Sequence, residues 1–293
     1  LFALLNNLEK FIWSLGKMKK SETSRKSKKK PLSEMADKND LYERSVQCAE
    51  SEIGFIDRHY EILRKRKAKK LREDFCGSAL VSFEWVARRK DNESIAVDID
   101  PEVMNWGISR HMGSLNRSQK NRIQFLEEDV IKVRTAPQDV ILATNFSYWC
   151  FKERRTLLSY FESVRKSLAT DGVFFVDCYG GYEAYRLLEE KTEHEGFTYI
   201  WDQADFNPIN NHQLCYIHFS FPDGSRIERA FSYNWRLWTI GEIRELMSEA
   251  GFSQSLVFWQ DWDESEEAES GEFTMVEKAE PDAGWIAYVA ALR

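Results

Sequence analysis

Short apolar runs alternate with helical-period segments over the first part of the chain, and a two-residue alternation replaces them later. Leu71–Phe75, Ile95–Val97, Ile123–Phe125, Asp139–Asn145 and Val173–Asp177 read as buried strands. Between them, Leu80–Ala87 and Glu102–Arg110 read as helices, as does the stretch carrying Leu157, Leu158, Phe161, Val164 and Leu168 at three- and four-residue spacing. Asp171-Gly172 reads as the turn before the fifth strand. Upstream, residues 40–70 accommodate two helices, with Ile53, Phe55, Ile56, Tyr60 and Leu63 on roughly one face. Strand and helix in alternation predict a parallel sheet with helices on both faces.

The period then changes. Phe197–Trp201, Gln213–Phe221 and Arg226–Trp235 are β-rich, the last two joined by Pro222-Asp223-Gly224-Ser225, and Ile227, Arg229, Phe231 and Tyr233 alternate. This predicts an antiparallel insertion over residues 180–236. Thr239–Ala250 follows as a helix capped by Thr239 and stopped by Gly251. Phe252–Trp259 and Trp285–Leu292 complete the sheet, and the acidic segment between them reads as a solvated, mobile loop.

The chemistry concentrates between Leu71 and Gly107. The first strand runs into a small-residue turn, Cys76-Gly77-Ser78-Ala79, at the start of a helix, and the next strand stops at Asp98. Small residues let backbone approach a ligand, and a helix N-terminus offers it unpaired N–H groups. An acid about 20 residues further on is placed to accept both hydroxyls of a ribose. The pattern points to a nucleoside cofactor. A dinucleotide fingerprint needs three glycines, and the register here supplies Gly77, Ala79 and Ser82, which disfavours an NAD-dependent dehydrogenase.

The stretch resembles motifs I and II of the class I S-adenosylmethionine-dependent methyltransferases. Glu73 falls on the motif I acid, and Phe75, Gly77 and Ala79 fall on its three glycines, two of which are therefore replaced. Val97-Asp98-Ile99-Asp100-Pro101-Glu102-Val103-Met104 matches the second motif. The resemblance spans about residues 40–293. It implies a Rossmann-like α/β three-layer sandwich with a mostly parallel seven-stranded sheet, its last strand antiparallel beside the fifth, and a β-rich insertion after strand five. The cofactor implied is S-adenosyl-L-methionine, held by Glu73, Phe75, Cys76, Gly77, Ala79, Asp98, Ile99, Asp129, Val130 and Asn145. Asp129 takes the place of the acid that accepts the adenine amine, and its alternative is a helix cap or solvated turn. Helices ahead of the core roof the cofactor in this family, which makes Tyr42 a lid candidate beside plain packing.

Tyr148, Tyr179, Tyr182 and Arg236 are candidates for the acceptor pocket. Tyr179-Gly180-Gly181-Tyr182 leaves the fifth strand at the ligand-binding edge, and Arg236 can clamp a carboxylate or pair with Glu242 or Glu245. No triad or metal cluster is expected, because methyl transfer from a sulfonium relies on alignment and water exclusion. His212 and His218 share a sheet face too far apart to share a metal. A methyltransferase acting on a small-molecule acceptor and a binding or regulatory protein without turnover both remain open.

The net charge of −7 is divided unevenly, +7 over residues 1–30 and −14 over the rest. The acidic body argues against a nucleic-acid footprint. Lys17–Pro31 is a basic, Ser-rich arm, solubilising or polyanion-binding, so residues 1–39 read as a disordered tail. Leu1–Leu15 reads as a targeting piece, a partner-binding helix, or sequence upstream of a start at Met18. No apolar run reaches the ~18–20 residues of a membrane span. Five scattered cysteines suit a reducing compartment, so the expected setting is cytoplasmic, with the nucleus open through the basic tail. Oligomeric state is not readable from these patterns.

Overall fold

A computed structural model describes residues 30–263 and 268–293. Leu1–Leu15 and most of the basic arm therefore lie outside the described residues, as does the middle of the acidic segment. Structure begins earlier than the expected boundary at residue 40. A single turn, α1 (Leu32–Met35), precedes two helices, α2 (Lys38–Val46) and α3 (Ala49–Arg64). The core then alternates: β1 (Lys70–Asp74), α4 (Leu80–Arg88), β2 (Glu93–Asp98), α5 (Pro101–His111), the short α6 (Arg117–Lys120), β3 (Ile123–Glu127), β4 (Gln138–Ala143), α7 (Arg154–Ser167) and β5 (Leu168–Gly180). Strands β6 (Leu188–His194), β7 (Phe197–Asn207), β8 (His212–Ser220) and β9 (Arg226–Arg236) form the insertion. Helix α8 (Ile240–Glu249) and strands β10 (Gln254–Asp263), β11 (Ala268–Val276) and β12 (Trp285–Leu292) close the chain.

The central sheet has the order β11-β10-β12-β5-β4-β1-β2-β3. Strands β1 to β5 pair in parallel, and β12 runs antiparallel between β5 and β10. Alternation along the strands feeds two cores. Val140, Leu142, Val173 and Phe175 face α3 and α4, through Ile53, Ile56, Tyr60, Val81 and Trp85. Ile141, Ala143, Phe174 and Val176 face α7 and α8, through Leu157, Phe161, Val164, Ile243 and Leu246. A sheet buried on both faces explains why its strands read as continuous apolar runs.

The insertion is a four-stranded antiparallel sheet, β6-β7-β8-β9. Phe197, Tyr199 and Trp201 on β7, with Cys215, Ile217 and Phe219 on β8, join the α7/α8 core. Period-two alternation thus anchors the insertion at the mouth of the main sheet.

Three readings of the sequence need correction. The expected Asp171-Gly172 turn lies inside β5. Leu168 pairs with Gln138 and Val173 with Val140, so the extra residues bulge out of the ladder. Much of the acidic segment is not a loop: β10 extends to Asp263 and β11 adds an eighth, edge strand antiparallel to it. Charged residues on that edge mask the strand signal, and they are also a means by which an edge resists further pairing. Strand β6 (LEEKTEH) is hidden by its polarity in the same way.

Candidate functional site

The turn after β1 is built from left-handed backbone. Phe75, Gly77 and Ala79 have φ of 56°, 52° and 60°. Phe75 and Ala79 stand where the methyltransferase pattern has glycine, so the conformation is kept although the glycines are not. A left-handed non-glycine residue costs roughly 1–2 kcal/mol. Packing offsets this: Ala79 is wholly buried, and the Phe75 ring rests on those of Phe151 and Tyr160, each 5.7 Å away between centroids. Helix α5 presses close to the same turn at Gly107, where a Cβ would stand 2.0 Å from the Ser78 carbonyl oxygen.

Asp98 ends β2 and faces this turn. One carboxylate oxygen accepts the Gly77 N–H (2.7 Å) and the other the Asp100 N–H (2.9 Å). Burial raises its pKa against the pull of those bonds. Asp100 caps α5, accepting from the Glu102 and Val103 amides ahead of Pro101. Across the sheet edge, Asn145 and Phe146 both have φ of 56°, and their N–H groups donate to the two oxygens of Asp177 (2.7 and 2.9 Å). Burial lifts Asp177 to about 8.

These elements converge on a cavity of about 310 Å³ at the carboxyl edge of the sheet. Phe75, Cys76, Gly77, Ser78, Asp98 and Asn145 line its floor. Helix α2 roofs it with Lys38, Asn39, Tyr42 and Glu43, Gln47 follows at the helix end, and β9 walls it with Phe231 and Tyr233. The roof is tied down on two sides. The Trp106 indole N–H donates to Asp37 (2.6 Å), Glu43 meets His111 (2.8 Å), and Asp40 pairs with Arg110. On the other side, the Leu32 amide donates to Asp223 (2.9 Å) and the Ser33 amide to Ser225 (3.1 Å). The turn between β8 and β9 therefore holds the first residues of the roof.

Other expected site residues lie elsewhere. Glu73 points behind the turn, where it accepts from the Ser82 amide (2.8 Å) and hydroxyl (2.6 Å), and burial raises it to about 8. Ala79 is packed in the core beneath the turn. Ile99 is exposed and Val130 is buried in the α7/α8 core. Asp129 accepts the Ile131 amide (2.9 Å) and pairs with Lys132 at 3.3 Å, the turn-capping alternative.

None of the four acceptor candidates lines the cavity. Tyr148 is fully buried and donates to the Asp177 carbonyl (2.8 Å). Tyr179 packs on Phe146 and Trp149 and accepts from the Gln213 amide (2.5 Å). Tyr182 is exposed on a short turn beyond β5. Arg236 pairs with Glu242 (2.8 Å) and stacks on Trp238, the intramolecular alternative for its charge. The aromatic wall comes instead from Tyr42, Phe231 and Tyr233. Its sequence signal was the alternation on β9 that puts Phe231 and Tyr233 on one face, with positions 38 and 42 a helical turn apart on α2.

The fold has counterparts among solved structures. An S-adenosylmethionine-dependent methyltransferase from Clostridium acetobutylicum superposes with a TM-score of 0.63 at 16% identity, covering 86% of this chain and 96% of the other. CalS10, an amino pentose methyltransferase from Micromonospora echinaspora, gives 0.61 at 11% identity, with 87% and 95% covered. The sugar N-methyltransferase KedS8 from Streptoalloteichus gives 0.58 at 13%, with 95% and 99% covered. The chain has the class I methyltransferase fold. No protein-family model and no curated sequence matches it. Among the described residues, no helix is long and apolar enough to cross a membrane.

Proposed function

We propose that the protein is an S-adenosylmethionine-dependent methyltransferase acting on a small-molecule acceptor. The observation that carries this is the convergence of the left-handed turn at Gly77, the Asp98 carboxylate and Asn145 on one cavity. The residues fit the cofactor. A Cβ on Gly77 would meet nothing within 4 Å, so the turn faces open space, and Asp98 retains acceptor capacity beyond its two backbone bonds. The cavity volume is at the lower end of the range for small-molecule sites.

In this reading Asp98 holds the ribose hydroxyls, and the backbone at Cys76 and Gly77, with Phe75 beside it, bounds the amino-acid end. Asn145 faces the methyl donor. Ile99, Asp129 and Val130 belong to the base end, on the segments following β2 and β3. Glu73 and Ala79 act from behind, Glu73 by pinning the first turn of α4 and Ala79 by shaping the turn. When bound, S-adenosylmethionine supplies an electrophilic sulfonium methyl, open to in-line displacement by the acceptor. The chain's own part is to align the acceptor against Asn145 and to exclude water beneath α2. The small-molecule acceptors named for CalS10 and KedS8, an amino pentose and a sugar, support the same class here. A fold kept for binding alone draws its main support from the replaced glycines, and their retained left-handed backbone weakens that ground.

Calorimetric titration with S-adenosylmethionine, with NAD, and with an Asp98→Ala variant tests the reading. Binding of the methyl donor that is lost in the variant is the expected result. Binding of NAD in its place, or undiminished affinity in Asp98→Ala, overturns it.

A further inference from the structure

The acceptor side of the cavity has a character of its own. Tyr42 and Phe231 meet at 4.9 Å between centroids, and Tyr233 lines the same cavity. These rings come from the roof and the insertion, away from the Asp98 turn. The Lys38 ammonium lies 5.1 Å from the centroid of the Phe231 ring. Lys38 opens α2, where the helix dipole disfavours a cation, so the ring face is the favourable partner in view. Among the described lining residues, Lys38 is the only lysine or arginine, against the carboxylates of Glu43, Asp98, Asp100 and Glu102.

We propose that the acceptor is a small amine, docked as its ammonium against Tyr42, Phe231 and Tyr233 in place of the Lys38 side chain. This rests on the methyltransferase reading of the same cavity. An aromatic face attracts a cation, while a carboxylate acceptor is repelled by the ring's negative face and a neutral alcohol gains little from it. The docked ammonium first sheds a proton to water at the cavity mouth. The nitrogen lone pair then forms the new N–C bond as the methyl–sulfur bond breaks, its electron pair remaining on sulfur. The products are a methylammonium, which leaves as the cation, and a neutral thioether, so one proton is released in all. Tyr42 stays a phenol throughout, since burial raises its pKa far above neutrality, and it serves to position the nitrogen.

The test uses matched acceptor sets, benzylamine with benzyl alcohol and benzoate, and cyclohexylamine with cyclohexanol and cyclohexanecarboxylate. Binding to protein saturated with S-adenosylhomocysteine is measured by calorimetry, and transfer is followed with labelled S-adenosylmethionine. At least one amine is expected to bind and react at least about tenfold better than its partners, with Phe231→Leu reducing that advantage about tenfold. Lys38→Gln, which removes the internal competitor, is expected to tighten amine binding several-fold. Preference for an alcohol or carboxylate, no amine bound in either set, or an unchanged preference in Phe231→Leu overturns the proposal. Failure of S-adenosylhomocysteine itself to bind is a different result and strikes the underlying reading.

Discussion

Gly107→Ala should damage the cofactor turn from outside it. An added Cβ would stand 2.0 Å from the Ser78 carbonyl oxygen and 2.6 Å from the Ser78 carbonyl carbon and Cα. All three are backbone atoms, so no side chain can swing aside. Reaching even 3.0 Å from the oxygen needs a displacement of about 1 Å between α5 and the turn. Overpacking of this kind costs roughly 1–3 kcal/mol, and the backbone contact places it at the upper end. Replacing a helical glycine by alanine returns about 1 kcal/mol, leaving a net loss of about 2 kcal/mol. The same displacement stretches the 2.7 Å bond from the Gly77 amide to Asp98 beyond hydrogen-bonding range. Urea denaturation followed by circular dichroism reads the first effect, and calorimetric titration with S-adenosylmethionine reads the second, with an expected affinity loss of at least about tenfold, the value of one such bond. Gly113→Ala, where an added Cβ meets nothing within 4 Å, is the control and should change neither. A Gly107→Ala protein with native stability and native affinity would refute the reasoning.

Gly54 lies within α3 with nothing within 4 Å of an added Cβ, so Gly54→Ala should stabilise the protein by about 0.5–1 kcal/mol in urea titration; a loss of stability would contradict the packing described for that helix. Burial lifts Glu52 to about 7 and Glu73 and Asp177 to about 8, so each keeps its proton in the folded protein where the unfolded chain has released it. Their contribution to stability is complete below the ordinary carboxylate range and is lost as pH rises through 7 to 8. Asp139 and Asp171, held low by hydrogen bonds from Arg66, act in the opposite sense at more acidic pH. The thermal midpoint should therefore fall between about pH 5.5 and pH 8.5, and Glu52→Gln should flatten the fall. A midpoint that rises across that window would show these carboxyl groups to be ionised in the fold.

What the sequence determined by itself is local. The apolar runs, the capped helix start at Thr239, and the spacing from the Gly77 turn to Asp98 depend on neighbours a few residues apart or on one strand–helix–strand unit. Periodicity states which face of an element is apolar, and for a doubly covered sheet that is enough to recover the order of layers. It does not state what a face will meet. Phe231 and Tyr233 were legible as one face of a strand, but only the folding of the insertion over the sheet brings them to Tyr42, nearly 190 residues earlier. The choice of Glu242 as partner for Arg236 and the turning of Glu73 toward Ser82 were likewise tertiary decisions. A polar side chain that is buried takes whichever partner the packing brings within reach, because an unmade bond there costs more than any single alternative gains. The left-handed backbone at Phe75 and Ala79 belongs to the same class. Their residue types disfavour it, and only the surrounding core, with Gly107 pressed against Ser78, holds the turn in the form that glycine would otherwise supply.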